Sequence, residues 1–361
     1  MKKLLIFMFL PVIILLAGCV CTPEQTQPPV RNVILMIGDG MGVTQMYAAF
    51  TANHGSLYMI ERAQYVGLVK THAANRYNAD SAAAGTAIAC GEKTNNGMLG
   101  MLPDGTPLKS MLEYAAEHGL STGMVVTCEK THATPAAFVA KVSGRGDHEE
   151  IALAFVNAPI NVSIGGGRQF FENRADGQNL TEQMRAKGFR VAYTMDEVNA
   201  TTEGNLLALL APVALPRYPA RGNMLPEATT VAINILNQNP NGFFLMVEGS
   251  QIDWAAHDND QQSVIYETLD FDRAVKIALD FAERCGNTLV IITGDHETGG
   301  MSIVNGSIED GTVRAHFSST GHTGVPVPVY AFGPGANKFT GVFWNTEFLP
   351  RVLNLWGISR R

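Results

Sequence analysis

The segment Glu248-Gly249-Ser250-Gln251-Ile252-Asp253-Trp254-Ala255-Ala256-His257 concentrates three metal-binding side chains in a short span. If the chain turns helical near Ile252, Asp253 and His257 stand four apart on one helical face, where both can grip one cation. Glu248 lies just upstream as a third ligand-type residue. Asp, Glu and His are the ligand types of zinc and of harder divalent ions. A surface helix carries the same residues by chance, so partners elsewhere in the chain must decide. Three further places offer them: Asp39 within Gly38-Asp39-Gly40-Met41-Gly42, the pair Asp295-His296 ahead of Gly299-Gly300, and His322 between Gly321 and Thr323-Gly324. A Gly-Asp-Gly segment is by itself an ordinary turn. The recurrence of such residues at four strand ends or loops is the argument for one shared site.

A nucleophile is available in Asp80-Ser81-Ala82-Ala83-Ala84-Gly85-Thr86. Ser81 opens a small-residue segment that reads as a helix, and a helix N-terminus favours a phosphate through its free N–H groups and dipole. The plainer reading is that Asp80 or Ser81 caps a tightly packed helix. The later Gly91-Glu92-Lys93-Thr94 lacks the spacing of a nucleotide-binding P-loop. Arg145 could pair with phosphoryl oxygens in the bidentate manner of guanidinium groups, although a lone arginine is usually just solvated.

The elements that would position these residues are legible. Arg31 to Ile37, Phe243 to Val247 and Thr288 to Ile292 read as strands covered on both faces, the first through its continuous apolar run from Val33 to Ile37. Each ends just before a candidate ligand, and ligands bind at the carboxyl ends of strands in open α/β sheets. Val327 to Phe332 is a further strand and Thr122 to Val126 another. Ser110 to His118, Gln261 to Arg284 and the peripheral Thr181 to Gly188 read as helices, and Thr131-His132-Ala133-Thr134-Pro135 opens one with Pro in its first turn. The middle of the chain, 157–240, is less informative, and no internal repeat or linker divides residues 32–361, which read as a single domain.

The chain has 361 residues, 46% hydrophobic and 16% charged, enough for a large core. Its net charge of -7 and lack of a basic block argue against nucleic acid as a specific partner. Lys2 and Lys3 precede an apolar run from Leu4 to Ala17 that reads as a signal peptide, residues 1–18. The run ends in Leu15-Leu16-Ala17-Gly18-Cys19, similar to a lipoprotein box in which Cys19 is acylated. Ordinary secretion with a nearby cleavage is the alternative. Residues 19–31, rich in Pro, Gln and Thr, read as a disordered tether. These features place the protein outside the cytoplasm, on the cell envelope, with the lipid as its only membrane contact. Cys90, Cys128 and Cys285 show no metal-type spacing and allow at most one disulfide.

Taken together, the motifs resemble the alkaline phosphatase family in order and spacing, from Asn32 to the C-terminal region. The resemblance implies an α/β sandwich, a central mostly parallel β-sheet with helices on both faces, and hydrolysis of phosphate monoesters at neutral to alkaline pH through a phosphoserine, releasing inorganic phosphate. It implies Ser81 as nucleophile and Arg145 as the phosphate-holding arginine. Asp253, His257 and His322 match the ligands of a first zinc, and Asp39, Asp295 and His296 those of a second. Asp39, Thr134 and Glu248 match a third, magnesium site. Two positions depart from the enterobacterial pattern: His132 stands in place of an aspartate near the third metal, and Trp254 in place of a lysine. Loss of the aspartate should weaken magnesium there or admit zinc through the imidazole. The resemblance also implies a homodimer, with a reduced insertion between His296 and His322. Two other readings are a two-zinc phosphodiesterase, which lacks the third metal and its glutamate, and a non-catalytic phosphate- or metal-binding module.

Overall fold

The computed structural model describes residues 29–360; the signal-peptide and Cys19 readings lie outside them. Fourteen strands form in the described residues: β1 (Asn32–Gly38), β2 (Tyr65–Lys70), β3 (Ser121–Glu129), β4 (Val162–Gly166), β5 (Phe189–Ala192), β6 (Asn205–Leu209), β7 (Phe243–Gly249), β8 (Thr288–Gly294), β9 (Glu297–Thr298), β10 (Met301–Ser307), β11 (Thr312–Phe317), β12 (His322–Thr323), β13 (Val327–Phe332) and β14 (Gly341–Trp344). Ten build one sheet in the order β14-β2-β13-β8-β1-β7-β3-β4-β6-β5. Only β13 runs against its neighbours, β8 and β2; the remaining pairs are parallel.

The apolar run of β1 explains its central place. Val33, Leu35 and Ile37 face one core, with the helices Ser81–Cys90, Met111–Glu117 and Phe348–Trp356, while Ile34 and Met36 face a second, with Val43–Ala52, Met224–Leu236 and Gln261–Cys285. A strand covered on both faces has no polar side to show. The two-core sandwich is therefore the expected mostly parallel sheet with helices on both faces.

Register then aligns the strand ends. Gly38 pairs with Gly249 on one side and Gly294 on the other. The residues that follow, Asp39 and Asp295, and Glu248 just before Gly249, thus emerge side by side at one edge of three adjacent strands. Asp39 is followed by Gly40 at φ 71°, where a Cβ would meet the Asp253 backbone at 2.7 Å. Only glycine allows that turn and that approach together.

Some sequence readings change in extent. The helix opening at Thr131 is a single turn, Ala133–Ala136, lodged against Gly85, whose Cβ position lies 3.3 Å from Ala137 Cβ and from Thr134 Cα. Between His296 and His322 stand β9 and the hairpin β10–β11, and His322 itself opens β12. Cys90, Cys128 and Cys285 are all unpaired.

Candidate active site

Ser81 is the first residue of its helix, capped by Asp80, which accepts the Ala83 N–H at 2.9 Å. Asp80 is thus the cap of this helix, and Ser81 stands at its N-terminus. Its Oγ lies 3.2 Å from His296 Nε2. Asp80 also accepts from Arg145 Nη1 at 3.1 Å and from the Gly97 N–H at 3.0 Å. Arg145 Nη2 meets His132 Nε2 at 3.2 Å.

Around this serine the structure gathers the candidate ligands into three groups, the donor atoms of each within 4.8 Å of one another: Asp253, His257 and His322; Asp39, Asp295 and His296; and Cys128, His132 and Glu248. Glu248, near Asp253 in sequence, is therefore in a different group. Thr134 Oγ1 donates to Asp39 Oδ2 at 3.3 Å, and His132 Nδ1 lies 4.0 Å from the same oxygen, so Asp39 stands between the second and third groups. Trp254 packs edge-on to His132, ring centroids 5.6 Å apart.

The hydrogen bonds fix which ring nitrogens are free. His257 Nδ1 faces the Thr320 carbonyl at 2.6 Å and His322 Nδ1 the Ala79 carbonyl at 2.7 Å. A carbonyl only accepts, so each Nδ1 carries a hydrogen and Nε2 is the nitrogen that can present a lone pair once the ring is neutral. Those two Nε2 atoms are 3.1 Å apart, with Asp253 oxygens 3.3 and 3.6 Å away. In the second group Thr298 Oγ1 donates to Asp253 Oδ1 at 2.5 Å and lies 3.2 Å from His296 Nδ1. His296 Nε2 is consequently the open nitrogen, 3.4 Å from Asp39 Oδ1 and 3.3 Å from Asp295 Oδ2.

Acceptors facing acceptors in a buried site require a cation between them. Three buried carboxylate oxygens here have no hydrogen-bond partner: Asp39 Oδ1, Asp295 Oδ2 and Glu248 Oε1. The donor set fits divalent metals.

The protein's own electrostatics agree. Burial, then the charge of Asp295, raises Asp39 well above the carboxylate range; burial raises Glu248 likewise, and it pushes Asp295 up to about 7. Burial acts to raise Asp253 too, but the His257 hydrogen bond and the nearby histidines hold it well below normal. The same bond lifts His257 to about 9. His132 is pushed down to about 3 by burial and by Arg145, and His296 is depressed by burial and His322.

Sequence reasoning passed over two residues here. Cys128 has no metal-type spacing in the sequence, yet it lies near the carboxyl end of β3 beside Glu248, where the strand-end rule places ligands. Thr298, in the glycine-rich loop after His296, carried no distinguishing signal.

Residues 30–315 match the sequence profile of the alkaline phosphatase family. The chain is 36% identical to alkaline phosphatase 4 of Bacillus subtilis, over 90% of its own length and 88% of that protein. The chain belongs to the alkaline phosphatase family. Its fold overlays that of the alkaline phosphatase from the Antarctic bacterium TAB5 with a TM-score of 0.87 and 36% identity, covering 92% of this chain and 100% of that one. A histidine-to-aspartate mutant of the TAB5 enzyme, described with magnesium bound in its M3 site, overlays with a TM-score of 0.86 and 36% identity, covering 92% of this chain and 99% of that one. Alkaline phosphatases hydrolyse phosphate monoesters with bound metal through a covalent phosphoserine, and this chain is a phosphomonoesterase of that kind.

Proposed function

We propose that Ser81 is the nucleophile of this phosphomonoesterase and Arg145 its phosphate-holding group. One zinc sits at Asp253, His257 and His322 and a second at Asp39, Asp295 and His296. A third divalent ion, magnesium on the family pattern, sits at Asp39, Thr134 and Glu248 with His132 beside it. When bound, such cations stabilise the charged forms of the nucleophile and leaving group and offset charge on the phosphoryl oxygens. The observation that carries the reading is Ser81 Oγ, held at a helix N-terminus 3.2 Å from His296 Nε2.

The remaining chemistry belongs to the chain. Ser81 Oγ forms a bond to phosphorus as the ester P–O bond breaks and the alcohol leaves; water then displaces the serine and inorganic phosphate departs. Arg145 turns from Asp80 to two phosphoryl oxygens, and the helix N-terminus adds its positive end. Asp80 keeps the helix start fixed throughout through its bond to Ala83.

Ser81→Ala is expected to retain its metals, read by elemental analysis, and to lose about 10³-fold or more of p-nitrophenyl phosphate turnover. Unchanged turnover would overturn the nucleophile. A chelator control and a diester run in parallel separate this reading from its rivals: stoichiometric phosphate binding without turnover supports a binding module, and preference for the diester a phosphodiesterase.

The protein is further proposed to be exported and held on the cell envelope through acylated Cys19, with no specific nucleic-acid partner, and to act as a homodimer. The lipobox supports the first point and family habit the last. Cys19→Ser should move the enzyme from the membrane to the soluble fraction.

A further inference from the structure

We propose that Cys128 is a thiolate ligand of the third metal, which makes that position one for zinc or another thiophilic divalent ion in preference to magnesium. This rests on the reading of the centre as a metal-dependent phosphomonoesterase.

Cys128 is fully buried, and its Sγ lies 3.7 Å from Glu248 Oε2. Its backbone is fixed there, since the Cys128 N–H donates to Ser250 Oγ at 3.2 Å, and the Ser250 N–H donates to Thr127 Oγ1 at 3.0 Å. Glu248 is also fully buried, and its other oxygen, Oε1, has no partner. Cys128, Glu248 and His132 thus offer sulfur, oxygen and nitrogen donors within 4.8 Å of one another. Cys90 provides the contrast. It is equally buried, but its Sγ faces only the Ala137 carbonyl, at 3.8 Å, and takes no place in a ligand group.

As described, the thiol proton lies between sulfur and the Glu248 carboxylate. Binding replaces it: the S–H bond breaks, a sulfur–metal bond forms with the same electron pair, and the proton passes to solvent. Magnesium is a hard ion that takes oxygen ligands and keeps its waters, whereas sulfur and imidazole donors select zinc and its neighbours. His132 joins under one condition. The Arg145 guanidinium only donates, so while it holds Nε2 the hydrogen of a neutral ring sits on Nδ1, the nitrogen that faces Asp39. When Arg145 turns to a phosphoryl group, the proton can move to Nε2 and free Nδ1 for the metal.

Cobalt(II) titration of the metal-stripped protein tests the ligand directly. A thiolate-to-cobalt charge-transfer band in the near ultraviolet is expected to grow with the last equivalent bound. The band should vanish in Cys128→Ser and in Cys128→Ala and persist in Cys90→Ser. Zinc content after dialysis against mixed zinc and magnesium should fall by about one ion per chain in the Cys128 variants. A wild-type spectrum without the band, or a band that survives both Cys128 substitutions, overturns the proposal. Phosphatase assays on the same samples keep the two readings apart: chelator-sensitive, Ser81-dependent turnover without the band removes only the thiolate ligand, whereas absence of metal-dependent turnover removes the reading beneath it.

Discussion

Thr298 ties two ligand groups together, since one hydroxyl donates to Asp253 and meets the far nitrogen of His296. Groups that orient metal ligands in this way are typically worth about 10- to 100-fold in metal affinity or activity. Thr298→Val, nearly the same size, should therefore lower zinc affinity by about that factor, read by competition with a chromophoric chelator, while Thr298→Ser restores most of it. Equal affinities for the valine variant and wild type would show that the hydroxyl only fills space. The contrast with the ligands explains what single residues reveal. Asp39, Asp295 and His296 were legible because acid and imidazole side chains follow apolar runs and sit among glycines. A threonine in the same loop has ordinary company. Cys128 was hidden for a related reason: its partners are one strand away, in Glu248, and one turn away, in His132, so no cysteine spacing announces it.

The helix Gln261–Cys285 shows how an element away from the chemistry pins a loop distant from it in sequence. Its Glu267 and Asp270, both fully buried, receive the buried side chain of Arg221, from the loop between β6 and the helix Met224–Leu236, at 2.5 Å each. Glu267 further accepts the Tyr218 N–H at 2.8 Å. Removing the arginine leaves two carboxylates buried without their cation, a loss that typically costs about 3–5 kcal/mol. Arg221→Ala should thus lower the denaturant midpoint by that equivalent, with little change in the kinetics of any folded enzyme that remains. A midpoint equal to wild type would mean that water or Arg273, which already contacts Asp270 at 2.5 Å, takes over. At this scale the sequence was informative where periodicity was long: this helix and the strands β1, β7 and β8 follow from their apolar patterns. The direction of β13 did not, because a strand buried on both faces reads alike in either orientation. Nor did the brevity of the Ala133–Ala136 turn, which packs closely against Gly85.

The whole molecule brings like charges to one edge of its sheet, and its stability should record that. Sequence order alone does not place β1 between β7 and β8; the pairing of Gly38 with both Gly249 and Gly294 does, and it sets Asp39, Glu248 and Asp295 together. In metal-stripped protein these acids resist ionisation, Asp295 titrating near 7 against an ordinary value of 3.8. A carboxyl group with a raised folded value binds more protons folded than unfolded, so stability falls as pH rises through the interval between the two values. His257 acts in the same sense above its ordinary 6.5: its stabilising bond to Asp253 is complete below that and is lost toward about 9. His132 and His296, depressed by burial, act oppositely, but only below 6.5, where the unfolded rings take up protons. Lys93, lowered to about 8, opposes above that value, and Lys130, held by burial well below the usual lysine range, opposes in both metal-loaded and metal-free protein alike. Between pH 6.5 and 8 the site's terms therefore agree in sign. Across this window chelator-treated protein should lose melting temperature relative to metal-loaded protein. Metal-loaded protein should hold or gain, because deprotonated ligands bind metal more tightly. Calorimetry of both forms at matched ionic strength checks the divergence, and parallel profiles would mean that this cluster is not where the metals bind.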